Sequence, residues 1–256
     1  AFYYSFFRYD YVNPPGVFIG LDNYVNLFKS EIFWESLLNT IILFAMSVAF
    51  GFWVPIVQAL MINELGKSQG VFRYLYLIPA GIPGVASMVV WKYMWNVDAG
   101  LANVITSALG LGEFDWLYDE KLVKFCLRIP AILGGGTNVL IYLVAIGGVG
   151  EEMYEAARLD GASRFRQIFS LTLPNIANII GIQFLLSLTG SLLAFDDVYV
   201  MTKGGPGTSS TTVVMAIYQK AFNDLNYGQA MATSVVVLVI TLGFVVLKMK
   251  LEKKED

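Results

Sequence analysis

A charged stretch between two apolar ones decides how this chain folds. Residues 151–174 read Glu-Glu-Met-Tyr-Glu-Ala-Ala-Arg-Leu-Asp-Gly-Ala-Ser-Arg-Phe-Arg-Gln-Ile-Phe-Ser-Leu-Thr-Leu-Pro. The apolar stretches around them, 129–150 and 171–195, contain no Asp, Glu, Lys or Arg. Because a membrane-spanning helix needs about 20 mainly apolar residues, the pattern predicts two spans joined by a short polar connector.

The whole chain has the composition of a membrane protein. Of its 256 residues 56% are hydrophobic, and only 14% are charged, against about 25% in a soluble domain. The mean hydropathy is +0.61. Residues 1–7 indicate the outer end of a first helix whose start is missing, so we expect six spans in the full protein. Five full spans are predicted at residues 36–63, 74–91, 129–150, 171–195 and 225–247. The second of these, 74–91, is expected to continue to Trp95.

The basic residues predict the orientation of these spans. Lys and Arg are denser in the connectors 64–73, 151–170 and 248–256 than in 8–35, 92–128 and 196–224. The positive-inside rule places the denser set in the cytoplasm. We therefore expect a cytoplasmic C-terminus and a cytoplasmic 151–170 connector.

Several classes of chemistry are excluded by residue types. The chain has one cysteine, Cys126, and no histidine, which excludes an internal disulfide, a Cys/His metal site and histidine acid–base catalysis. A net charge of −3 gives no sign of a nucleic-acid surface. Gly66-Lys67-Ser68 matches the end of a phosphate-binding loop, but Met61 occupies the position of its first glycine. We expect no catalytic residue, no metal and no cofactor in this chain.

The connector itself predicts a helix–turn–helix on the membrane surface. Its two leading glutamates suit a helix N-terminus. Gly161 is placed to end that helix in a left-handed conformation, and a second short helix can follow. Pro174 fits the first turn of the next span. The paired alanines Ala156 and Ala157 leave a low surface that another protein can approach closely.

This segment resembles the EAA loop of ABC-importer permeases. The family pattern is Glu-Ala-Ala, three residues, Gly, nine residues and Ile-x-Leu-Pro. Glu155-Ala156-Ala157 is followed here by three residues and Gly161, and nine more precede Leu171-Thr172-Leu173-Pro174. Leu171 in place of Ile is the one departure, and it is conservative.

Further segments narrow the resemblance to carbohydrate permeases of the maltose-permease type. Phe18-Ile19-Gly20-Leu21-Asp22-Asn23-Tyr24 is similar to the segment that follows their first helix, and Thr202-Lys203-Gly204-Gly205-Pro206-Gly207 is similar to their Gly-Gly-Pro turn. The similarity runs from the first residues to about Gly228. It implies an all-α membrane protein, a helical bundle of the type I ABC importer kind with five full spans plus the end of a first helix. Residues 1–256 would form one permease domain that contains the coupling loop 151–170.

The resemblance also implies an assembly and a mechanism. Such importers combine a second homologous permease, two copies of an ATP-binding subunit that holds ATP and Mg, and an extracytoplasmic solute-binding protein. The chain would lie in a bacterial or archaeal cytoplasmic membrane and carry a sugar or oligosaccharide by alternating access.

Three groups of residues take roles by this resemblance. Each polar residue of the path could equally form an interhelical hydrogen bond, and the Gly-Gly-Pro turn could be a plain connector. The groups are ATPase coupling by Glu155, Ala156, Ala157, Asp160 and Gly161, the substrate path at Ala80, Gly84, Gly135, Asn138, Tyr142, Ser191 and Ala194, and binding-protein docking by Gly204, Gly205 and Pro206.

Other functions stay open at this point. An importer of glycerol phosphate or another small solute would be indicated by Lys or Arg buried in the spans, and the apolar stretches 36–63, 74–91, 129–150, 171–195 and 225–247 contain none. A secondary transporter should show symmetric halves or buried coupling charges, and neither is evident in the sequence. A membrane-embedded enzyme would need a cluster of nucleophiles, bases or metal ligands, which the sequence also lacks.

Overall fold

The computed structural model describes residues 1–12, 16–65, 68–133 and 136–252, and they are mainly helical. The chain divides into two compact units. The larger unit comprises Ala1–Ala45, Gly84–Leu127 and Leu188–Asp256, and the smaller unit comprises Met46–Pro83 and Arg128–Ser187.

The described helices and strands have the following bounds. A 3₁₀ turn at Tyr4–Phe6 leads into strand β1, Phe7–Arg8, which pairs antiparallel with β2, Val17–Phe18. Turns of π-helix lie at Ser47–Gly51, Ile168–Thr172 and Gln219–Asn223. The α-helices are α1 Asp22–Lys29, α2 Glu31–Met46, α3 Val54–Asn63, α4 Gln69–Ala80, α5 Gly84–Met94, α6 Leu101–Ala108, α7 Val123–Leu133, α8 Gly136–Gly147, α9 Glu151–Leu159, α10 Arg164–Gln167, α11 Leu173–Asn175, α12 Ala177–Leu192, α13 Asp196–Met201, α14 Val213–Tyr218 and α15 Tyr227–Glu252.

Five full spans are not confirmed by the described residues. Among the described residues, Glu31–Asn63 and Tyr227–Val246 are each long and apolar enough to cross a bilayer. Two bent pairs pass the same criteria together, Val123–Ala131 with Gly136–Gly147 at 44° and Arg164–Asn175 with Ala177–Leu192 at 68°. Length and composition therefore support two spans, or four if each bent pair is one span.

Two sequence predictions are corrected by these elements. The predicted span 74–91 is broken into α4 and α5, and residues 81–83 separate them. Pro83 accounts for the break, because a proline disfavours helical conformation at the preceding residue, here Ile82. Residues 1–7, predicted as a helix end, form the 3₁₀ turn and enter β1, where Asn23 Nδ2 donates to the carbonyls of Ser5 and Phe7.

The smaller unit is built around α8, which packs against α3 and α4. Its core includes Ile56 and Ala59 of α3, Tyr142 and Ile146 of α8, and Ile176 just before α12. Ala59 is fully buried, and its small side chain lets the α3 and α8 backbones approach closely, as is usual between membrane helices. The 151–174 segment follows α8 of this core closely in the chain.

The larger unit is built around α15, which contacts the 3₁₀ turn, α1 and α14. Gly228, at the start of α15, donates its N–H to the Tyr9 carbonyl at 2.9 Å. A Cβ atom at Gly228 would lie 2.6 Å from the Phe7 carbonyl oxygen, so this close approach requires glycine. A separate apolar cluster in this unit is formed by Leu27, Phe33, Val213 and Val237.

Candidate functional site

The first helix of the 151–174 segment ends as the sequence predicts. Gly161 follows α9 with φ +74°, in the left-handed region. Its N–H donates to the Arg158 carbonyl at 3.1 Å, and the Ala162 N–H donates to the Ala157 carbonyl at 2.9 Å. This pair of bonds is the Schellman motif, which satisfies the carbonyls that a helix end leaves without partners. The predicted turn at Gly161 is confirmed.

A second short helix follows, also as predicted. Ser163 caps α10, since its Oγ accepts a hydrogen bond from the Arg166 N–H at 3.4 Å. The chain then passes through the π-helical turn into α11, where Pro174 occupies the first turn and its missing N–H costs little. The segment is therefore a helix–turn–helix joined directly to the helix that precedes α12.

The two short helices enclose a concavity of about 440 Å³. Three of the five predicted coupling residues, Ala156, Ala157 and Asp160, line it together. Glu155 is exposed outside the lining, and Gly161 forms the turn beside it. The other residues around the concavity are Met153, Ala162, Arg166, Gln167, Ser170 and Leu171.

This segment exposes apolar side chains in a polar setting. No residue of α9 or α10 is buried. Leu159 is 89% exposed and Phe165 is 78% exposed, although both lie between charged residues outside the apolar stretches. Exposed apolar groups rimmed by polar ones mark interaction surfaces. The geometry therefore suits contact with another protein.

The Gly-Gly-Pro turn is folded onto its own unit. Gly204 has φ +94° and is buried, while Gly205 and Pro206 are half-buried and joined by a cis peptide bond. Asn39 of α2 donates hydrogen bonds to two carbonyls just after this turn, that of Thr208 at 2.8 Å and that of Thr211 at 3.1 Å. The loop thus has a clear role in the fold, and docking of a binding protein there stays a prediction.

The predicted path residues occupy different environments. Tyr142 lies in the core of the smaller unit, packed among apolar side chains. Asn138 is exposed, and its Oδ1 accepts a hydrogen bond from Gln183 Nε2 at 3.3 Å, which is the interhelical bond left open above. Gly84 begins α5 at an exposed position. Ala80 ends α4, and Gly135 lies outside the described residues.

The last two path residues lie in the larger unit. Ser191 is buried near the end of α12. Ala194 is half-buried, and its carbonyl accepts a hydrogen bond from Thr212 Oγ1 at 2.8 Å. Their place in a substrate path stays a prediction.

Arg128 was missed by the sequence analysis. It is 7% exposed and lies within α7, in the first part of a bent candidate span. Its Nη1 donates to Ser47 Oγ at 3.4 Å, at the start of a π-helical turn. Because Arg128 is charged, the apolar stretch that predicts a span begins only at Ile129 and leaves this arginine outside. If the bent pair is one span, Arg128 is a basic residue buried within it, contrary to the expectation from the sequence.

Comparisons with known proteins agree with this geometry. The family described as "Binding-protein-dependent transport system inner membrane component" matches residues 15–250. The probable ABC transporter permease protein YurN of Bacillus subtilis is 30% identical over 97% of this chain and 87% of its own length. The trehalose/maltose transport system permease protein MalF of Thermococcus litoralis is 32% identical over 93% of this chain and 80% of its own.

A solved structure gives the fold. A chain of a bacterial ABC transporter involved in the import of the acidic polysaccharide alginate superposes with a TM-score of 0.83 and 26% identity. The match covers 93% of this chain and 84% of that one. The similarity therefore extends over nearly the whole chain.

Proposed function

We propose that this chain, which belongs to the family of inner-membrane components of binding-protein-dependent transport systems and is the permease subunit of an ABC importer, carries a sugar or oligosaccharide across the membrane. The trehalose/maltose relative supports this class of cargo. The other components that we propose are a second homologous permease, two ATP-binding subunits that hold ATP and Mg, and an extracytoplasmic binding protein. The chain itself is a transport component and leaves ATP hydrolysis to its partner.

One observation carries the mechanism that we propose. The Schellman-ended helix α9 and the concavity beside it lie on a polar connector between two apolar segments, where an ATPase can bind. ATP binding would move the ATPase, and the connector would pass that movement to the α11–α12 segment. The Arg164–Glu64 ion pair joins this connector to the residue that follows α3, which supports placing both on the same side of the membrane. The density of basic residues favours the cytoplasmic side for both of them and for the C-terminus.

The test compares two glycines with the same backbone. Gly161 and Gly110 both have φ +74°, and an added Cβ would meet nothing within 4 Å at either site. Gly110 also ends its helix, α6, with the same pair of bonds, Gly110 N–H to Ser107 and Leu111 N–H to Thr106. A β-branched residue is strained equally at both positions. Any difference in transport between the two variants therefore reflects the position of the glycine in the chain and not the backbone strain.

We expect Gly161→Val to lower solute uptake per ATP hydrolysed by about tenfold, since a strain of about 1–2 kcal/mol opens the turn. Gly110→Val should leave that ratio unchanged. The measurement uses proteoliposomes with both permeases and the ATPase, supplied with the binding protein. Equal ratios in the two variants, with normal assembly, would remove the coupling role.

A second candidate is an importer of acidic solutes. Arg128 is buried in α7, and the alginate transporter imports an acidic polysaccharide. A buried guanidinium suits carboxylate, phosphate or sulfonate groups. Binding of neutral saccharides, acidic saccharides and acidic non-sugar solutes to the cognate binding protein tests this candidate, because it fails if only neutral saccharides bind, and the sugar assignment fails if only acidic non-sugar solutes bind. If only amino acids or metal ions bind, both fail.

A further inference from the structure

The helix–turn–helix at 151–172 is not held together by a core. Neither α9 nor α10 has a buried residue, and α9 has only nine residues. Isolated helices of this length are marginal in water, because nucleation is costly. Thr172 is the one buried residue between 151 and 172, at 2% exposure. Hydrogen bonds must therefore fix the two helices relative to each other.

These hydrogen bonds form a ring that joins α9, the turn and α10. The Ala157 carbonyl accepts from the Ala162 N–H at 2.9 Å, and the Ala162 carbonyl accepts from Gln167 Nε2 at 2.8 Å. The Gln167 carbonyl accepts from Thr172 Oγ1 at 3.4 Å, and Thr172 Oγ1 lies 2.9 Å from the Tyr154 hydroxyl. Either hydroxyl can be the donor in this last bond. Tyr154 lies on α9 with Ala157, which closes the hydrogen-bonded ring.

The hydrogen-bonded ring is joined to the core of the smaller unit through Thr172. The Thr172 carbonyl accepts from the Ile176 N–H at 3.1 Å. Ile176 packs in the same core as Ile56 of α3 and Tyr142 of α8. Hydrogen bonds therefore connect α9 to buried, close-packed residues. Because such residues transmit strain, a displacement of α9 is passed on to this core.

We propose that Tyr154 is a positioning residue for energy coupling, and that its hydroxyl makes the two connector helices and the start of α11 one rigid body. The inference rests on the proposed ATPase-coupling function and adds the residue that makes the connector stiff. Without the Tyr154–Thr172 bond, the hydrogen bonds between α9 and α10 among the described residues lie only at the turn around Gly161. Part of an imposed movement is then lost as hinge motion at that turn.

The experiment measures solute imported per ATP hydrolysed in proteoliposomes that contain the complete importer. Tyr154→Phe and Thr172→Val each remove one partner of the bond with little change in shape, and we expect each to lower the ratio by about fivefold, the value of one hydrogen bond. The double variant should fall no further, because both changes break the same bond. Binding of the ATPase should stay unchanged.

Two control variants separate positioning from packing. Thr172→Ser keeps the hydroxyl and should keep the normal ratio. Tyr118 is exposed, and its hydroxyl has no hydrogen bond within the described part of the chain, so Tyr118→Phe should have no effect. The proposal is overturned if Tyr154→Phe couples normally, if Thr172→Ser falls as far as Thr172→Val, or if Tyr154→Phe loses the ATPase.

The outcome also distinguishes this proposal from the function on which it rests. If Gly161→Val uncouples the importer while Tyr154→Phe does not, the coupling function stands and the rigid-body role fails. If neither variant lowers the ratio, the coupling role of the whole connector fails.

Discussion

Two polar loops differ in how they bond to the helices beside them. The connector 151–172 bonds mainly to itself, and its exposed side surrounds a concavity of about 440 Å³. The loop 202–212 also bonds to itself, but Asn39 of α2 donates to two of its carbonyls, and Thr40 Oγ1 accepts from the N–H of Val213, directly after the loop, at 3.1 Å. Ser210, Thr211 and Thr212 are buried.

The difference shows that a turn-forming sequence does not by itself indicate a docking surface. Both loops use left-handed glycines, Gly161 in one and Gly204 in the other. At Gly161 an added Cβ would meet open space, whereas at Gly204 it would lie 2.6 Å from Thr211 Oγ1. The first glycine shapes a surface that stays open, and the second closes a loop onto its own unit.

The largest expected effect is on stability, at Gly204. Gly204→Ala adds a clash with Thr211 to the strain of φ +94°, and together these should lower the free energy of unfolding by about 3 kcal/mol. Gly161→Ala carries the strain alone, about 1–2 kcal/mol. Thermal unfolding of the purified complex checks the order. Greater destabilisation by Gly161→Ala than by Gly204→Ala would contradict the comparison.

The same two variants should reverse their order in coupling. Gly161→Ala should lower solute imported per ATP more than Gly204→Ala does in the fraction of complexes that assemble. The reason is that only the first glycine lies in the connector that passes movement on. A lower ratio for Gly204→Ala would show that the 202–212 loop takes part in transport directly.

The smallest expected effect is at the Arg164–Glu64 ion pair. Both side chains are more than half exposed, so the pair should contribute less than about 1 kcal/mol. Glu64→Gln and Arg164→Gln, separately and together, form a double-mutant cycle on thermal stability. Their interaction should vanish in high salt. A large, salt-independent interaction would mean that this contact, and not the hydrogen-bonded ring, holds the connector.

The sequence predicted the connector better than the spans. The spacing from Glu155 to Pro174 was enough for both short helices and the left-handed Gly161, because these features depend on local backbone chemistry. The break between α4 and α5 at 81–83 was not predicted, because the apolar composition of 74–91 favours one continuous helix despite Pro83.

The tertiary contacts could not be predicted at all. The Tyr154–Thr172 bond and the burial of Arg128 depend on how helices pack, and neither has a local signal beyond the residue types. The one available hint for Arg128 was its position directly before an apolar stretch, where a helix can begin earlier than the hydropathy does.

The central claim is that the connector concavity is covered by the ATPase. Cys126 is 1% exposed, so a single introduced cysteine can be labelled selectively. Ala156→Cys places a thiol in the concavity, and Leu111→Cys, at an exposed site in the larger unit, is the matched control. We expect addition of the ATPase subunit to slow maleimide labelling of Ala156→Cys several-fold and to leave Leu111→Cys unchanged. Equal labelling of Ala156→Cys with and without bound ATPase would contradict the account.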